Sequence, residues 1–304
     1  MRIAVAALIL SVMPQDPIVK LPTEEEIAKI QAALPEKASA APRGPRRLLV
    51  VGSNPWHAPV PYCSKTMELL GKKTGAFEAV VTADGSFFEP EKLKDFDAVL
   101  VNNWHGFNPF LPATKKEFDA LSADEKAKVK EREARLRKSL LDFVAGGKGL
   151  VGIHAATVGL NDWKEYHEMI GGKYRALPYL EAAVKIDDPK HPVNAAFEGK
   201  GFRIADEFYE LQEPYSRDKV RVLISVDYEK MKDVEKVTKY GKPVRTDGDY
   251  GLSWVKTYGK GRVFYSALGH FSETYWNPAM LRHWLDGIQF TLGDLEADAT
   301  PPGK

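Results

Sequence analysis

Short apolar runs alternate with longer amphipathic stretches through the first half of the chain. Arg47-Leu48-Leu49-Val50-Val51-Gly52 holds a short apolar run, Leu48 to Val51, closed by glycine, the pattern of a parallel strand buried on both faces. Glu78 to Thr82, Asp97 to Asn102 and Gly149 to Ile153 are further strand candidates. Between them, Ser64 to Gly71 predicts a helix. Ala113 to Ala145 predicts a long charged one, broken near Ser122-Ala123-Asp124, where Ser and Asp can cap a new helix, and stopped at Gly146-Gly147. Strands alternating with helices, joined by right-handed connections, predict an α/β fold with a doubly wound, flavodoxin-like parallel sheet.

The pattern changes after residue 175. Leu180 to Ile186, Phe208 to Leu211 and Val220 to Val226 read as strands, and Leu252 to Val255 with Arg262 to Tyr265 frame a hairpin turn at Tyr258-Gly259-Lys260-Gly261. The second half is therefore richer in antiparallel β structure, added to the parallel sheet. Tyr228 to Tyr250 is polar and lysine-rich, a surface excursion. Leu281, Leu285, Ile288 and Leu292 recur at helical spacing and predict a closing helix from Pro278 to Leu292.

The ends read differently from the middle. MRIAVAALILSVM carries one basic residue and then an apolar run of signal-peptide length, too short to span a bilayer as a helix. Residues 1–20 are accordingly expected to be a signal peptide directing export to the periplasm or outside the cell, with a cytoplasmic location if they are not. Pro14-Gln15-Asp16-Pro17 interrupts any cleavage motif there, and Ala38-Ser39-Ala40 lies far downstream. Residues 21–45 read as a linker with a short helix at Glu24 to Ala33, residues 46–293 as the domain, and residues 294–304 as a tail.

Composition narrows the chemistry. With 43 basic against 42 acidic residues the net charge is +1, so nothing draws the chain to nucleic acid or anionic lipid, and no later segment reaches transmembrane length. Cys63 is the one cysteine, which excludes an intramolecular disulfide and a thiolate metal cluster. No G-x-S-x-G elbow, P-loop or G-x-G-x-x-G after the first strand is present, which argues against a serine hydrolase, an NTPase and a nucleotide cofactor.

Of seven histidines, His57, His105 and His154 fall just beyond predicted parallel strands, and His270 just beyond the second hairpin strand. In open α/β sheets the ligand crevice lies outside the carboxyl ends of the strands, so these residues are expected to converge. Three imidazoles there, with Glu207 nearby, suit a divalent transition metal such as zinc. The same groups could instead supply an acid, a base and donors to a sugar. His191-Pro192 reads as a turn former, His283 as a packed or exposed helix residue, and His167 as structural. Trp56, Trp104, Tyr275 and Trp276 stand beside these histidines or loops and are candidate walls for a sugar ring, or else caps of the core.

The runs GGKGLVGIHAAT, YHEMIGGKY, KHPV, DEFYEL and YGKGRVFYSALGH, with SNPWHAP near the first strand, together resemble the ThuA-like family, named for trehalose utilisation. The resemblance covers roughly residues 46 to 292. It implies a fold similar to class I glutamine amidotransferases, in which the turn after the strand carries a cysteine nucleophile; here Ile153-His154-Ala155 occupies that turn, so a thiol mechanism is lost. Carried onto this chain, the family's residues of interest are His57, His154, Asp206, Glu207 and His270. Two positions depart from the family pattern: Val158-Gly159 stands where an Asp is usual, and Leu177-Pro178 where His-Pro is usual. The resemblance implies carbohydrate metabolism. An enzyme cleaving a glycoside or keto-sugar is expected, with His154, Glu207 and Asp206 catalytic and His57, His154 and His270 holding a metal; the alternative is a non-catalytic carbohydrate-binding or scaffold module.

Overall fold

The computed structural model describes residues 21–52, 57–112, 115–231 and 245–302. Its strands are β1 (Arg47–Val51), β2 (Glu78–Thr82), β3 (Ala98–Asn102), β4 (Gly149–Ile153), β5 (Lys173–Ile186), β6 (Phe202–Gln212), β7 (Arg221–Val226), β8 (Gly251–Tyr258) and β9 (Gly261–Ser266). They form one sheet in the order β2-β1-β3-β4-β9-β8-β7-β5-β6. The first five of that order are parallel, an arrangement of flavodoxin type. The chain leaves β4, lays down β5 to β8, and returns to β4 as β9, so the antiparallel strands extend the same sheet rather than stack on it.

Helices cover the parallel half: α1 (Glu24–Ala33), α2 (Pro59–Thr74), α3 (Pro90–Leu93), α4 (Lys115–Ala120), α5 (Ala123–Ala145), α6 (Lys164–Ile170) and α7 (Pro278–Thr291). The expected break falls at Ser122, whose hydroxyl accepts from the Glu125 N–H while Glu125 bonds back to the Ser122 N–H, a reciprocal cap. α2 starts earlier than its hydrophobic pattern predicts because Pro59 and Pro61 occupy its first turn, where no intrahelical N–H is needed. Leu48 to Val51, Ala98 to Val101, and Leu150, Val151 and Ile153 are fully buried between the helical layers, with Leu281, Leu285 and Ile288 of α7 in the same core.

Two expectations about the ends change. The supposed linker is docked: Ile30 and Leu34 are buried in the core, Tyr62 donates to Glu26, and the Ser39 N–H donates to Gln289 at 2.7 Å. The tail is tied down by Arg46 on buried Asp294 at 2.6 Å and by Arg221 on Asp298 at 2.7 Å. Apolar burial and satisfied polar groups, absent from a free tether, hold both in place. The signal-peptide reading falls on residues outside those described. Among the described residues no helix is long and apolar enough to cross a membrane.

β5 begins at Lys173, well before the predicted Leu180, and runs through Pro178. Its pairing with β6 shifts register at Tyr174/Ala176, Ala176/Tyr179 and Tyr179/Glu181, as a strand must where proline withholds an N–H. That bulged stretch is the part that faces the crevice.

Candidate functional site

His57, His105, His154 and His270 follow the carboxyl ends of β1, β3, β4 and β9, four neighbouring strands. Their rings converge: His57 lies 5.4 Å from His105, 5.6 Å from His154 and 5.4 Å from His270, and His154 lies 5.1 Å from His270, centroid to centroid. The turn carrying His154 is unusual in its backbone, with φ of 50°, the left-handed region that non-glycine residues seldom occupy outside functional sites. Neighbours hold it there. Tyr265 donates to the His154 carbonyl at 2.8 Å, and Gly159 closes the turn so tightly that a Cβ there would sit 2.3 Å from the Trp104 carbonyl oxygen.

One contact orients His154. Its Nδ1 lies 2.7 Å from the Ala267 carbonyl oxygen, which can only accept, so Nδ1 carries a proton and Nε2 faces the crevice. Around Nε2 stand the Tyr209 hydroxyl at 2.7 Å, His270 Nδ1 at 3.2 Å and Glu207 Oε2 at 3.3 Å. Tyr209 also reaches Glu207 at 3.2 Å. Strand alternation explains the set: Glu207 and Tyr209 lie on one face of β6, and Asp206 and Phe208 on the other.

Burial, with the neighbouring imidazoles second, pushes His57 down to about 2. Burial and His154 push His270 down to about 4, partly offset by Glu207. For Glu207, burial works to raise the pKa, but the hydrogen bond to His154, the neighbouring His154 and His270 imidazoles and the Tyr209 hydroxyl outweigh it, and the carboxyl is held below its ordinary range. The crevice thus sets the neutral imidazoles of His57 and His270 beside an ionised carboxylate. One candidate nitrogen each from His57, His154 and His270 lies within 4.8 Å of the others, and buried His57 Nδ1 has no hydrogen-bond partner. Zinc–nitrogen bonds of about 2.0–2.1 Å separate tetrahedral ligands by about 3.4 Å, so these residues fit a transition metal after small adjustment. The Nδ1–H bond of His154 to a backbone carbonyl is the usual orienting partner of a metal-binding imidazole.

Several predicted residues take other roles. Asp206 is fully buried and faces away from the crevice, accepting from the N–H groups of Gly269 and His270 at 2.9 Å, the Glu207 N–H at 2.7 Å and Thr274 Oγ1 at 2.6 Å. It positions the loop that carries His270 rather than meeting a substrate. Trp104 and Tyr275 have no exposed surface; the indole donates to the Val51 carbonyl at 2.9 Å and the phenol to the Gly269 carbonyl at 2.7 Å. Neither can be a sugar wall, because neither ring reaches the surface of the crevice. Trp276 packs beneath Lys29 of α1 and does not line the cavity; Trp56 lies outside the described residues. His105 is exposed and lines the crevice. His283 is buried between the Val193 carbonyl and Ser253, His191 caps the turn at Pro192, and His167 is buried. Cys63 is buried in α2, where burial pushes its thiol far up, so it is no nucleophile.

The cavity over these groups measures about 260 Å³ and is lined by His57, His105, Glu207 and His270 together with Val158, Tyr174, Leu177 and Tyr209. Tyr209 and Tyr174 were not expected at the site. The period-two spacing from Glu207 would have found Tyr209; Tyr174 lies in the bulged part of β5, where alternation fails.

A family model described as ThuA, trehalose utilisation, matches residues 47–291. The chain belongs to the ThuA family. Solved ThuA-like structures agree on the fold. That of a Bacteroides uniformis protein is 20% identical, covers 83% of this chain and 93% of its own, and has a TM-score of 0.59. A Parabacteroides merdae ThuA-like protein is 17% identical, with 85% and 96% covered and a TM-score of 0.55, and a cytoplasmic protein of Salmonella typhimurium is 13% identical, with 81% and 98% covered and a TM-score of 0.52. A search of curated proteins finds no match. Membership of the ThuA family gives the protein a carbohydrate-related role.

Proposed function

We propose that the histidine-lined crevice is the active site of an enzyme that cleaves a glycoside or keto-sugar derivative. The observation that carries this reading is the cluster at His154 Nε2: an ionised Glu207, Tyr209 and His270 all within 3.3 Å of one nitrogen, opening into a cavity. A site that only binds sugar needs no such concentration of titratable groups.

A keto group acidifies the neighbouring C–H. Glu207 takes that proton, and the electron pair left on carbon expels the glycosidic oxygen from the next carbon, giving an unsaturated ketone. The departing alkoxide needs one proton, and Glu207, through Tyr209 or His270, holds the one just removed. His57, His154 and His270 would hold a divalent transition metal, which when bound supplies Lewis-acid polarisation of the carbonyl oxygen. His154, fixed by Ala267, orients this whole set.

The test is elemental analysis of purified protein before and after chelation, alongside turnover of a 3-keto-glucoside, on wild type and His154→Ala. Stoichiometric metal and turnover are expected in the wild type and neither in the variant, with folding retained by circular dichroism. Turnover surviving in His154→Ala would overturn the assignment. A non-catalytic carbohydrate-binding module is the second reading, favoured by the apolar Val158 and Leu177 at the crevice; it predicts sugar binding with no turnover in either protein.

A further inference from the structure

Three of the eight residues that line the cavity turn largely apolar surface to it. Val158, Tyr174 and Leu177 present aliphatic and aromatic surface to the same space as Glu207 and the histidines. Val158 follows the His154 turn, and Tyr174 and Leu177 come from the bulged stretch of β5, so three separate backbone positions converge on one apolar wall. Among the described residues no lysine or arginine lines the cavity, so a phosphate or carboxylate would meet Glu207 with no cationic side chain beside it.

From this wall we infer that the substrate is an uncharged glycoside carrying an apolar aglycone, with the sugar on the Glu207 and histidine side and the aglycone against Val158, Tyr174 and Leu177. A hydroxylated second sugar placed there would bury donors and acceptors without partners, whereas an aromatic ring gains contact with Leu177 and edge or offset packing with Tyr174. The volume of about 260 Å³ is just below the range of roughly 300–1,000 Å³ usual for small-molecule pockets, room for one sugar unit and a small aglycone rather than an oligosaccharide. The inference rests on the crevice being a sugar site, as proposed above.

Calorimetry with 4-nitrophenyl glucosides, methyl glucosides and 4-nitrophenol, each glucoside as both anomers, separates the two ideas. On wild-type protein the nitrophenyl glucosides should bind at least tenfold more tightly than the methyl glucosides, within the roughly 10–200-fold that small apolar differences command in a pocket. Leu177→Asn and Val158→Asn should shrink that ratio towards one. Equal affinity for nitrophenyl and methyl glucosides, or a preference untouched by both variants, would overturn the inference. Binding of 4-nitrophenol unaffected by an added sugar would sustain the apolar wall and sink the sugar site. No binding of any probe would overturn both.

Discussion

β1, β3, β4 and β9 deliver their histidines from loops just beyond the strand ends, whereas β5 and β6 deliver Tyr174, Leu177, Glu207 and Tyr209 from within the strands themselves. In the parallel half the position of each imidazole follows from topology: any residue just past the carboxyl end of a central strand is brought to the same edge. In the antiparallel extension it follows from register, since a slip of one residue in β6 would present Asp206 and Phe208 in place of Glu207 and Tyr209. The parallel half therefore builds the histidine cluster, and the extension sets the Glu207 carboxylate and the apolar wall beside it.

Glu207→Gln tests that division with the largest expected effect. Turnover should fall by about 10²–10⁴-fold, the usual worth of a general base, while elemental analysis still finds the metal held by the three histidines. Loss of metal together with activity would mean that the two halves are not separable. Trp104→Ala should act on the other side of the comparison. A fully buried indole removed from the parallel half should cost about 3–5 kcal/mol in urea denaturation, without altering the ratio of aryl to methyl glucoside binding.

His283 ties α7 to β8 through Ser253 at 2.9 Å, and burial pushes its pKa down to about 4. The neutral form is favoured in the folded state, so stability is fully present above the ordinary value near 6.5 and is lost as pH falls from there towards 4, while the unfolded chain takes up the proton. The loss from this residue should reach roughly 3 kcal/mol; in His283→Asn, denaturation at pH 7.5 and pH 4.5 should differ correspondingly less. The smallest effect should come from Asp206→Asn, at the tie between the halves. One of the N–H donors of Gly269 or His270 would face an amide NH₂ and lose its acceptor, at about 1–3 kcal/mol. Metal affinity should weaken as the His270 loop loosens; unchanged affinity with lowered stability would leave Asp206 a purely structural residue.

The order of strands and helices in the parallel half was legible because each short buried run is bounded by its own turn residues: Gly149 to Ile153 and Glu78 to Thr82 begin and end where the pattern places them. So was the edge at which His57, His105, His154 and His270 meet. Less legible were the early start of β5, hidden by Pro178, and the docking of residues 21–45, whose polar composition disguises Ile30 and Leu34. Aromatic residues beside histidines misled in the cases of Trp104 and Tyr275, since adjacency along a chain at a strand end says nothing about which way a ring turns.

What the sequence by itself determined is the family, the parallel layer and the identity of the four converging histidines, because local pattern and strand order are written in neighbouring residues. Only the tertiary structure decided that Glu207 faces the crevice and Asp206 the core, that Tyr209 and His270 meet at Nε2 of His154, and that Val158 and Leu177 meet in one wall. Those facts depend on strand register, on a bulge and on a left-handed turn, each set by contacts between residues far apart in the chain.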